Sequence, residues 1–413
     1  MTTIGVLAFI VALLLSVMLH EAGHFLTARR YGMKATQFFV GFGPTLFSRQ
    51  KGETEYGVKA IPAGGFVKII GMTPLEEVEP GDEDRAFYRQ SIGRKTVVLA
   101  AGSTVHFLIC IVLVFAAVLA IGVPDPDAAV MSKPQDCLPL SITAADTDGP
   151  DGTKVGGLCP AGTVPGPAAQ AGFTYLDKVV SVQGRSVKDY TDFRQLVRRS
   201  PGQTLAVVVE RDGAQRTLSL TPVLTTRPDD DKPEKPVRVG AVGLGPSFTA
   251  IRDVGIVNAV PETGTVLKLF VVATYKSLTE KLDSITKVYS KERDREGFIG
   301  VVGAGRVTGE VFEQPVPFTN RLLTFLMLIA SLNLFIGIFN LLPLLPLDGG
   351  HIAVVWFESV RDRLRRARGY VGEIQRVDYN KLMPVTLAVV ILFAGFTLWL
   401  LGADIVNPIR LGG

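Results

Sequence analysis

Two histidines and a glutamate with helical spacing lie near the start of the chain. His20, Glu21 and His24 form the pattern H-E-x-x-H. On a helix, His20 and His24 share one face, where both imidazoles can bind one zinc ion. Glu21 adjoins the first histidine and can accept a proton from water activated by the metal. The pattern predicts metal-assisted hydrolysis, and the alternative is a buried polar cluster between helices without metal.

The element that carries these residues is apolar. Residues 4–28 contain no charged side chain except Glu21. As a helix this segment is about 37 Å long, enough to cross a hydrocarbon core of about 30 Å. Three further apolar segments, residues 96–123, 322–345 and 382–401, predict three more spans. With 413 residues, 47% of them hydrophobic, the sequence predicts a polytopic α-helical membrane protein with four transmembrane helices.

A catalytic zinc site needs a third protein ligand and an open position for water. Asp348 is the candidate that we prefer, because it follows two prolines and precedes Gly349 and Gly350. A helix break there can direct the carboxylate back into the bundle. His351 and His106 are the alternative ligands. Otherwise His351 is a loop residue beside the ligands, and His106 either packs between helices with a hydrogen bond or lies next to the ligands.

The segments between the spans divide the chain into three parts. Residues 1–123 hold the first two spans and the loop 29–95, in which Tyr56–Ile61 and Phe66–Ile70 predict a β-hairpin around a Pro-Ala-Gly-Gly turn. Residues 124–319 are an insertion, and residues 320–413 hold the last two spans around the loop 346–381. Within the insertion, the pattern predicts a small α+β domain over 155–223, with a hairpin across Asp212 and Gly213. It also predicts an amphipathic helix over 261–290, which lysines and a glutamate interrupt, rather than a span.

The charges of the loops predict the orientation. Loops 29–95 and 346–381 are rich in arginine and lysine, so both are expected in the cytoplasm, with the two termini and the insertion outside. This orientation places the candidate site toward the cytoplasmic side. Cys137 and Cys159 then lie outside, where a disulfide can persist. No basic cluster with interleaved aromatic residues indicates a nucleic-acid partner.

Two motifs together resemble those of a known family. H-E-A-G-H in the first span and N-L-L-P-L-L-P-L-D-G-G-H over Asn340–His351 resemble the site-2 protease family of intramembrane zinc metalloproteases, and the layout resembles its bacterial RseP-like group. Residues 155–223 are similar to a circularly permuted PDZ domain. The second span departs from many relatives: it has His106 where they have an asparagine in an A-G-P-x-x-N pattern.

The resemblance implies a site and a biological role. One zinc ion per chain would be bound by His20, His24 and Asp348, with Glu21 as the catalytic base. The hairpin would correspond to the family's membrane-associated β-loop. The protein would act in a bacterial cell membrane, in regulated intramembrane proteolysis. Its substrates would be single-pass membrane proteins, such as anti-sigma factors, that another protease has already trimmed.

The substrate must be locally unwound, because the peptide bonds of a helix are hydrogen-bonded and shielded. An edge strand can bind such a segment by strand addition. The residues proposed for this role are Phe66, Val67, Lys68, Ile69 and Ile70. Asn333 and Asn340 can bind freed backbone groups, and the alternative is that they form hydrogen bonds between helices. The PDZ-like domain is expected to control access as a size filter.

A transporter and a PDZ scaffold are the two alternative classes of protein. A transporter also carries polar residues within its spans, but these spans show no internal repeat. A PDZ scaffold with a vestigial anchor has no use for Glu21 beside His20. Both classes are therefore less consistent with the sequence than a protease.

Overall fold

A computed structural model describes residues 2–72, 78–125, 127–142, 159–229, 232, 234–247, 249–280, 282–290, 293, 297–314, 316–371 and 377–409. The chain divides into two compact units. The helical unit comprises Met1–Ile121 and Gly255–Gly413, and the inserted unit comprises Gly122–Val254. Residues 255–319, which the sequence assigned to the insertion, therefore pack with the helices.

The first part of the helical unit contains two long helices separated by a pair of strands. Its elements are α1 (Thr2–Arg30), β1 (Ala35–Lys51), β2 (Thr54–Ile69) and α2 (Ile92–Ala120). The helices run antiparallel and approach closely at Gly23, where a β-carbon would lie 2.9 Å from the carbonyl oxygen of Ala101. The small residues at this crossing allow the two backbones to pack face to face. We call the end where α1 finishes the Arg30 end, and the opposite end the Thr2 end.

The turn between β1 and β2 differs from the predicted one. Tyr56–Ile61 and Phe66–Ile69 both belong to the single strand β2, and Ile70 follows it, so the predicted turn at residues 62–65 is wrong. The turn lies between Lys51 and Thr54. The first half of β1 lies between the two halves of a bent β2, because Phe38 pairs with Val67 and also with Tyr56. The proline and glycines of residues 62–65 thus form a bend within a strand.

The inserted unit is a mixed domain of short elements. These are β3 (Val123–Pro124), β4 (Cys137–Pro139), β5 (Thr163–Pro165), α3 (Pro167–Gln170), β6 (Lys178–Val182), β7 (Arg185–Ser186), α4 (Tyr190–Arg198), β8 (Leu205–Arg211), β9 (Ala214–Leu220), β10 (Val223–Pro228), β11 (Pro236–Ala241) and β12 (Ile251–Arg252). The largest sheet is antiparallel with the order β7-β6-β8-β9. The predicted hairpin across Asp212 and Gly213 is present, and α4 supplies a helix to the α+β domain. The unit extends beyond the predicted 155–223, and residues 155–158 lie outside the described residues.

A buried ion pair and a hydrophobic core stabilise the inserted unit. Asp177 is fully buried and accepts hydrogen bonds of 2.7 Å from both Nε and Nη2 of Arg211. Phe193 of α4 packs into a core with Val207 and Val209 of β8. Cys137 and Cys159 form a disulfide bond.

Where the structure describes it, the last part of the helical unit holds five α-helices. These are α5 (Gly255–Thr279), α6 (Val301–Val311), α7 (Phe318–Asn340), α8 (Asp348–Ala367) and α9 (Tyr379–Val406). Among the described residues, five helices are long and apolar enough to cross a membrane: α1, α2, α5, α7 and α9. The sequence predicted an amphipathic helix over 261–290. The helix instead runs from Gly255 to Thr279 and ends before Glu280, so its interior is more apolar than the predicted range.

Contacts along the helices define their directions. Asn333 of α7 bonds to Ser16 of α1, and α6, which precedes α7, packs on α1 where a β-carbon at Gly5 would meet Thr308. Helices α1 and α7 therefore both begin at the Thr2 end. Asp404, near the end of α9, accepts a hydrogen bond from Gly303 of α6, so α9 finishes at that same end.

Candidate metal centre

Three side chains from two distant parts of the sequence meet at one place in the helical unit. His20 and His24 lie one turn apart on α1, and Asp348 is the first residue of α8. Gly349 and Gly350 allow α8 to fold back tightly after α7, because their β-carbons would lie 2.2 Å from the Leu341 oxygen and 2.5 Å from the Leu344 backbone. The glycines that follow Asp348 thus place its carboxylate beside the histidines.

The distances between the three side chains fit a zinc ion. The two histidine Nε2 atoms are 3.2 Å apart. Oδ2 of Asp348 is 3.5 Å from Nε2 of His20 and 3.4 Å from Nε2 of His24. Tetrahedral ligands at about 2.0–2.1 Å from zinc are separated from one another by about 3.3 Å. Among the described residues, these three side chains are the group that could hold a metal ion.

The hydrogen bonds around the cluster favour a cation in its centre. Nδ1 of His24 donates to the carbonyl oxygen of Val98 at 2.7 Å, which leaves a lone pair on Nε2. Oδ2 of Asp348 is buried and has no hydrogen-bond partner among the described residues. Buried carboxylates are normally paired or bound to a metal. The donor set of two imidazoles and one carboxylate is one that catalytic zinc sites use.

Glu21 lies beside the three side chains and touches the β-sheet. A β-carbon on Gly65 would be 3.3 Å from Cγ of Glu21, and the backbone N–H of Val67 donates a hydrogen bond to its carboxylate. Glu21 is absent from the metal-ligand group among the described residues. The carboxylate is therefore held between the metal cluster and the second half of β2.

His106 is part of a buried network between three helices. Its Nδ1 donates to Oδ1 of Asn333 at 2.8 Å, and Nδ2 of Asn333 donates to Oγ of Ser16 and to the oxygen of Ile329. His106 and Asn333 are each 1% exposed. The ring of His106 lies 4.9 Å from that of His20. The structure thus gives Asn333 the interhelical role rather than the substrate contact, and places His106 next to a candidate ligand.

The remaining candidates lie around this centre. His351 is on the first turn of α8 and stacks on Tyr379 at 6.1 Å, outside the ligand group. Asn340 is the last residue of α7 and is half-buried.

The predicted edge strand is only partly accessible. Phe66 and Val67 are half-buried and Lys68 is exposed. Ile69 and Ile70 are buried, because Ile69 belongs to the core formed with α2. Their side chains are therefore part of the protein interior, and main-chain strand addition along this segment stays a prediction.

Gly102 packs directly against the candidate ligands, which the sequence did not predict. A β-carbon at this position would lie 2.4 Å from Nε2 of His24 and 2.4 Å from Cε1 of His20. Only a glycine lets α2 approach the two imidazoles at this distance. The available signal was the run of small residues Ala101, Gly102 and Ser103 in the middle of an apolar helix.

Comparisons with known proteins agree with this geometry. The profile of peptidase family M50 matches residues 8–377. Zinc metalloprotease Rip1 of Mycobacterium tuberculosis is 39% identical over 417 residues, which cover 98% of this chain and 98% of the relative. Regulator of sigma-E protease RseP of Escherichia coli is 28% identical, with 86% of this chain and 90% of the relative covered. Zinc metalloprotease RasP of Oceanobacillus iheyensis is 26% identical, with 88% and 92% covered.

Proposed function

Because this chain belongs to peptidase family M50 and is a zinc metalloprotease of the site-2 type in a membrane, we propose that it cleaves single-pass membrane proteins within the bilayer. The cut would follow a first cleavage outside the membrane. The observation that carries the proposal is the triangle of His20, His24 and Asp348, whose edges of 3.2–3.5 Å fit three ligands of one zinc ion. The name of the sigma-E regulator supports anti-sigma factors as one class of substrate.

In this proposal, the residues of the centre have distinct roles. His20, His24 and Asp348 hold the ion. When bound, zinc lowers the pKa of its water to about 7 and polarises the scissile carbonyl. The Glu21 carboxylate would accept a proton from the attacking water and return it to the leaving amine. Its hydrogen bond to Val67 and its contact with Gly65 keep the carboxylate at the edge of the cluster.

The substrate would bind along the second half of β2. Phe66 and Val67 pair with Phe39 and Phe38 of β1 on one side, and their other side has no strand partner among the described residues. Main-chain hydrogen bonds on that side can hold an unwound peptide in an extended form. The Val67 N–H that bonds to Glu21 indicates that this open side faces the catalytic carboxylate. We propose that Asn340, the last residue of α7, binds freed backbone groups of the substrate.

We propose four complete membrane crossings, by α1, α2, α7 and α9. Helix α2 finishes at the Thr2 end and α7 begins there, so the chain between them must cross an even number of times. Among the described residues between them, α5 is the single candidate span, and one crossing by α5 would leave α7 at the wrong end. The arginines and lysines at the Arg30 end support a cytoplasmic position for that end. The termini and the inserted unit are then extracytoplasmic.

An accessibility label on a cysteine introduced at residue 216 should react from outside and one at residue 365 from inside.

We further propose that the inserted unit is PDZ-like and limits access to the centre. Its antiparallel sheet with α4 supports a peptide-binding domain, and a catalytic cluster of metal ligands is absent from its described residues. Replacing residues 122–254 by a flexible linker should allow cleavage of a substrate with an intact ectodomain while leaving a trimmed substrate unaffected. Loss of cleavage of both substrates by a folded, zinc-loaded variant would indicate recruitment instead.

The direct test of the proposed activity is cleavage of a labelled transmembrane peptide by the purified protein. Chelator should abolish cleavage, and added zinc should restore it. Asp348→Ala should lose bound zinc, whereas His351→Ala should keep it because that ring stacks on Tyr379 away from the cluster. Full zinc content in Asp348→Ala would refute the ligand assignment.

A further inference from the structure

The second half of α8 exposes a stripe of large apolar side chains. Trp356, Phe357, Val360 and Leu364 are each more than half exposed. At about 100° per residue, the four side chains fall within an arc of about 100° on one face of the helix. Such a contiguous apolar face marks a surface that contacts another apolar phase.

The opposite face of α8 packs within the helical unit. Val355 is buried against Val98 and Leu99 of α2. Trp356 lies at the border, and its Nε1 donates to Oγ1 of Thr96 at 3.1 Å. The contacts with α2 on the opposite face fix the orientation of α8. The stripe is therefore left exposed on the outer face of the helix.

Arginines flank the stripe on both sides. On the helical projection Arg363 lies on one side, and Arg361 and Arg368 lie on the other. On the helical projection Glu358 and Asp362 lie opposite the stripe. Glu358 accepts a hydrogen bond from the backbone N–H of Val377, and Asp362 is paired with Arg361 at 2.9 Å, so Arg368 supplies the positive charge of that border. The face that α8 exposes is thus apolar in its centre and cationic at both borders.

The position of α8 places this face at the level of a membrane surface. Arg363 and Lys95 line the same cavity, so the end of α8 lies beside the first turn of α2. The spanning helix α1 finishes at this end of the bundle with Arg29 and Arg30. Cations at the end of a span lie at the depth of the lipid headgroups.

We propose that the exposed face of α8 is a binding surface for anionic lipid headgroups, and that it anchors the helix that begins with Asp348. The apolar stripe enters the boundary between headgroups and acyl chains, while the flanking guanidinium groups reach the phosphates. Arginine binds phosphate oxygens with two parallel hydrogen bonds. The flanking arginines therefore match lipid phosphates better than they match a soluble apolar partner. The charge pattern selects anionic over zwitterionic lipids. This surface is independent of the proposed proteolytic activity.

Quenching of Trp356 fluorescence tests the proposal. The chain has two tryptophans, so Trp399→Phe leaves Trp356 as the single reporter. The protein is reconstituted in phosphatidylcholine vesicles with phosphatidylglycerol, and either lipid is brominated at the same mole fraction. Brominated phosphatidylglycerol should quench Trp356 at least twice as strongly as brominated phosphatidylcholine. Iodide in the water phase should quench it weakly.

Two triple variants provide the comparison. One replaces the flanking residues, Arg361→Gln, Arg363→Gln and Arg368→Gln. The control removes equal charge from exposed positions of the inserted unit, Arg185→Gln, Arg216→Gln and Arg238→Gln. The first triple should equalise quenching by the two lipids, since each arginine contributes about fivefold, or about 1 kcal/mol. The control triple should keep the preference.

Two results would overturn the proposal. Equal quenching by the two brominated lipids in the parent protein would show that the face does not select anionic headgroups. Strong quenching by iodide would place Trp356 in water, so that the stripe serves a protein partner or none.

Discussion

Substitution of Gly102 by alanine should weaken zinc binding at the metal centre while leaving the fold intact. The added methyl group would lie 2.4 Å from an atom of each histidine ring. Ordinary contacts of a β-carbon are 3.4 Å or longer, so the imidazoles of His20 and His24 must move by about 1 Å, or α1 and α2 must separate. The crossing at Gly23 opposes separation, because it is itself closely packed.

The magnitude follows from the tolerance of zinc ligation. Zinc–ligand distances vary by about 0.2 Å, and a displacement of about 1 Å exceeds that range several-fold. Loss of a single group that orients a ligand lowers metal affinity about 10–100-fold. Because both histidines are displaced, we expect Gly102→Ala to weaken zinc binding at least about 100-fold, or about 2.8 kcal/mol.

The assay is competition for zinc between the purified protein and a chromophoric chelator, with zinc per chain measured after dialysis. Gly93→Ala is the matched control, because it lies on the same helix and its β-carbon would meet no atom within 4 Å. This control should bind zinc normally and be as stable as the parent, or up to about 1 kcal/mol more stable. Circular dichroism and a thermal unfolding midpoint verify that both variants fold. A folded Gly102→Ala protein with the parent's zinc affinity would refute the packing argument.

Two further predictions concern buried polar groups outside the ligand set. Asn333→Ala should lower the free energy of unfolding by about 1–3 kcal/mol, because it removes the hydrogen-bond partner of His106. Asn340→Ala, at the end of α7, should change the free energy of unfolding little. Equal thermal midpoints for the two variants would contradict this prediction. Burial by itself raises the pKa of the Asp177 carboxyl, but the guanidinium of Arg211 and nearby hydrogen bonds hold that pKa below its usual range. The pair should therefore stabilise the inserted unit above about pH 4, and this stabilisation should be lost as the pH falls through the depressed pKa. Arg211→Gln should lower the thermal midpoint at pH 7 but much less in acid. An effect of the substitution that is independent of pH would contradict the assignment.

The metal cluster could be predicted because the patterns that indicate its ligands each lie within a short stretch of sequence. The spacing of His20 and His24 determines that they share a helix face, and the prolines and glycines around Asp348 determine a helix break. Neither inference needs the tertiary structure. The three predicted ligands accordingly come together in the structure.

Other features depend on contacts between distant segments. The hydrogen bond from His106 joins residues 227 positions apart in the sequence, so no local pattern could have paired it with Asn333. The requirement for Gly102 arises from two rings on another helix. The turn was misplaced because residues 51–54 and 62–65 both carry turn signals, and only the pairing of β1 with both halves of β2 distinguishes the turn from the bend.

The measurement that tests the central claim most directly compares the parent protein with Glu21→Gln. Both are purified, loaded with zinc and mixed with a labelled transmembrane peptide in vesicles. Glutamine keeps the shape of the side chain but cannot accept the proton. We predict that Glu21→Gln binds one zinc ion per chain, unfolds at a temperature near that of the parent, and cleaves at least about 1,000-fold more slowly. Turnover near that of the parent by the zinc-loaded variant would contradict the assignment of Glu21 as the catalytic base.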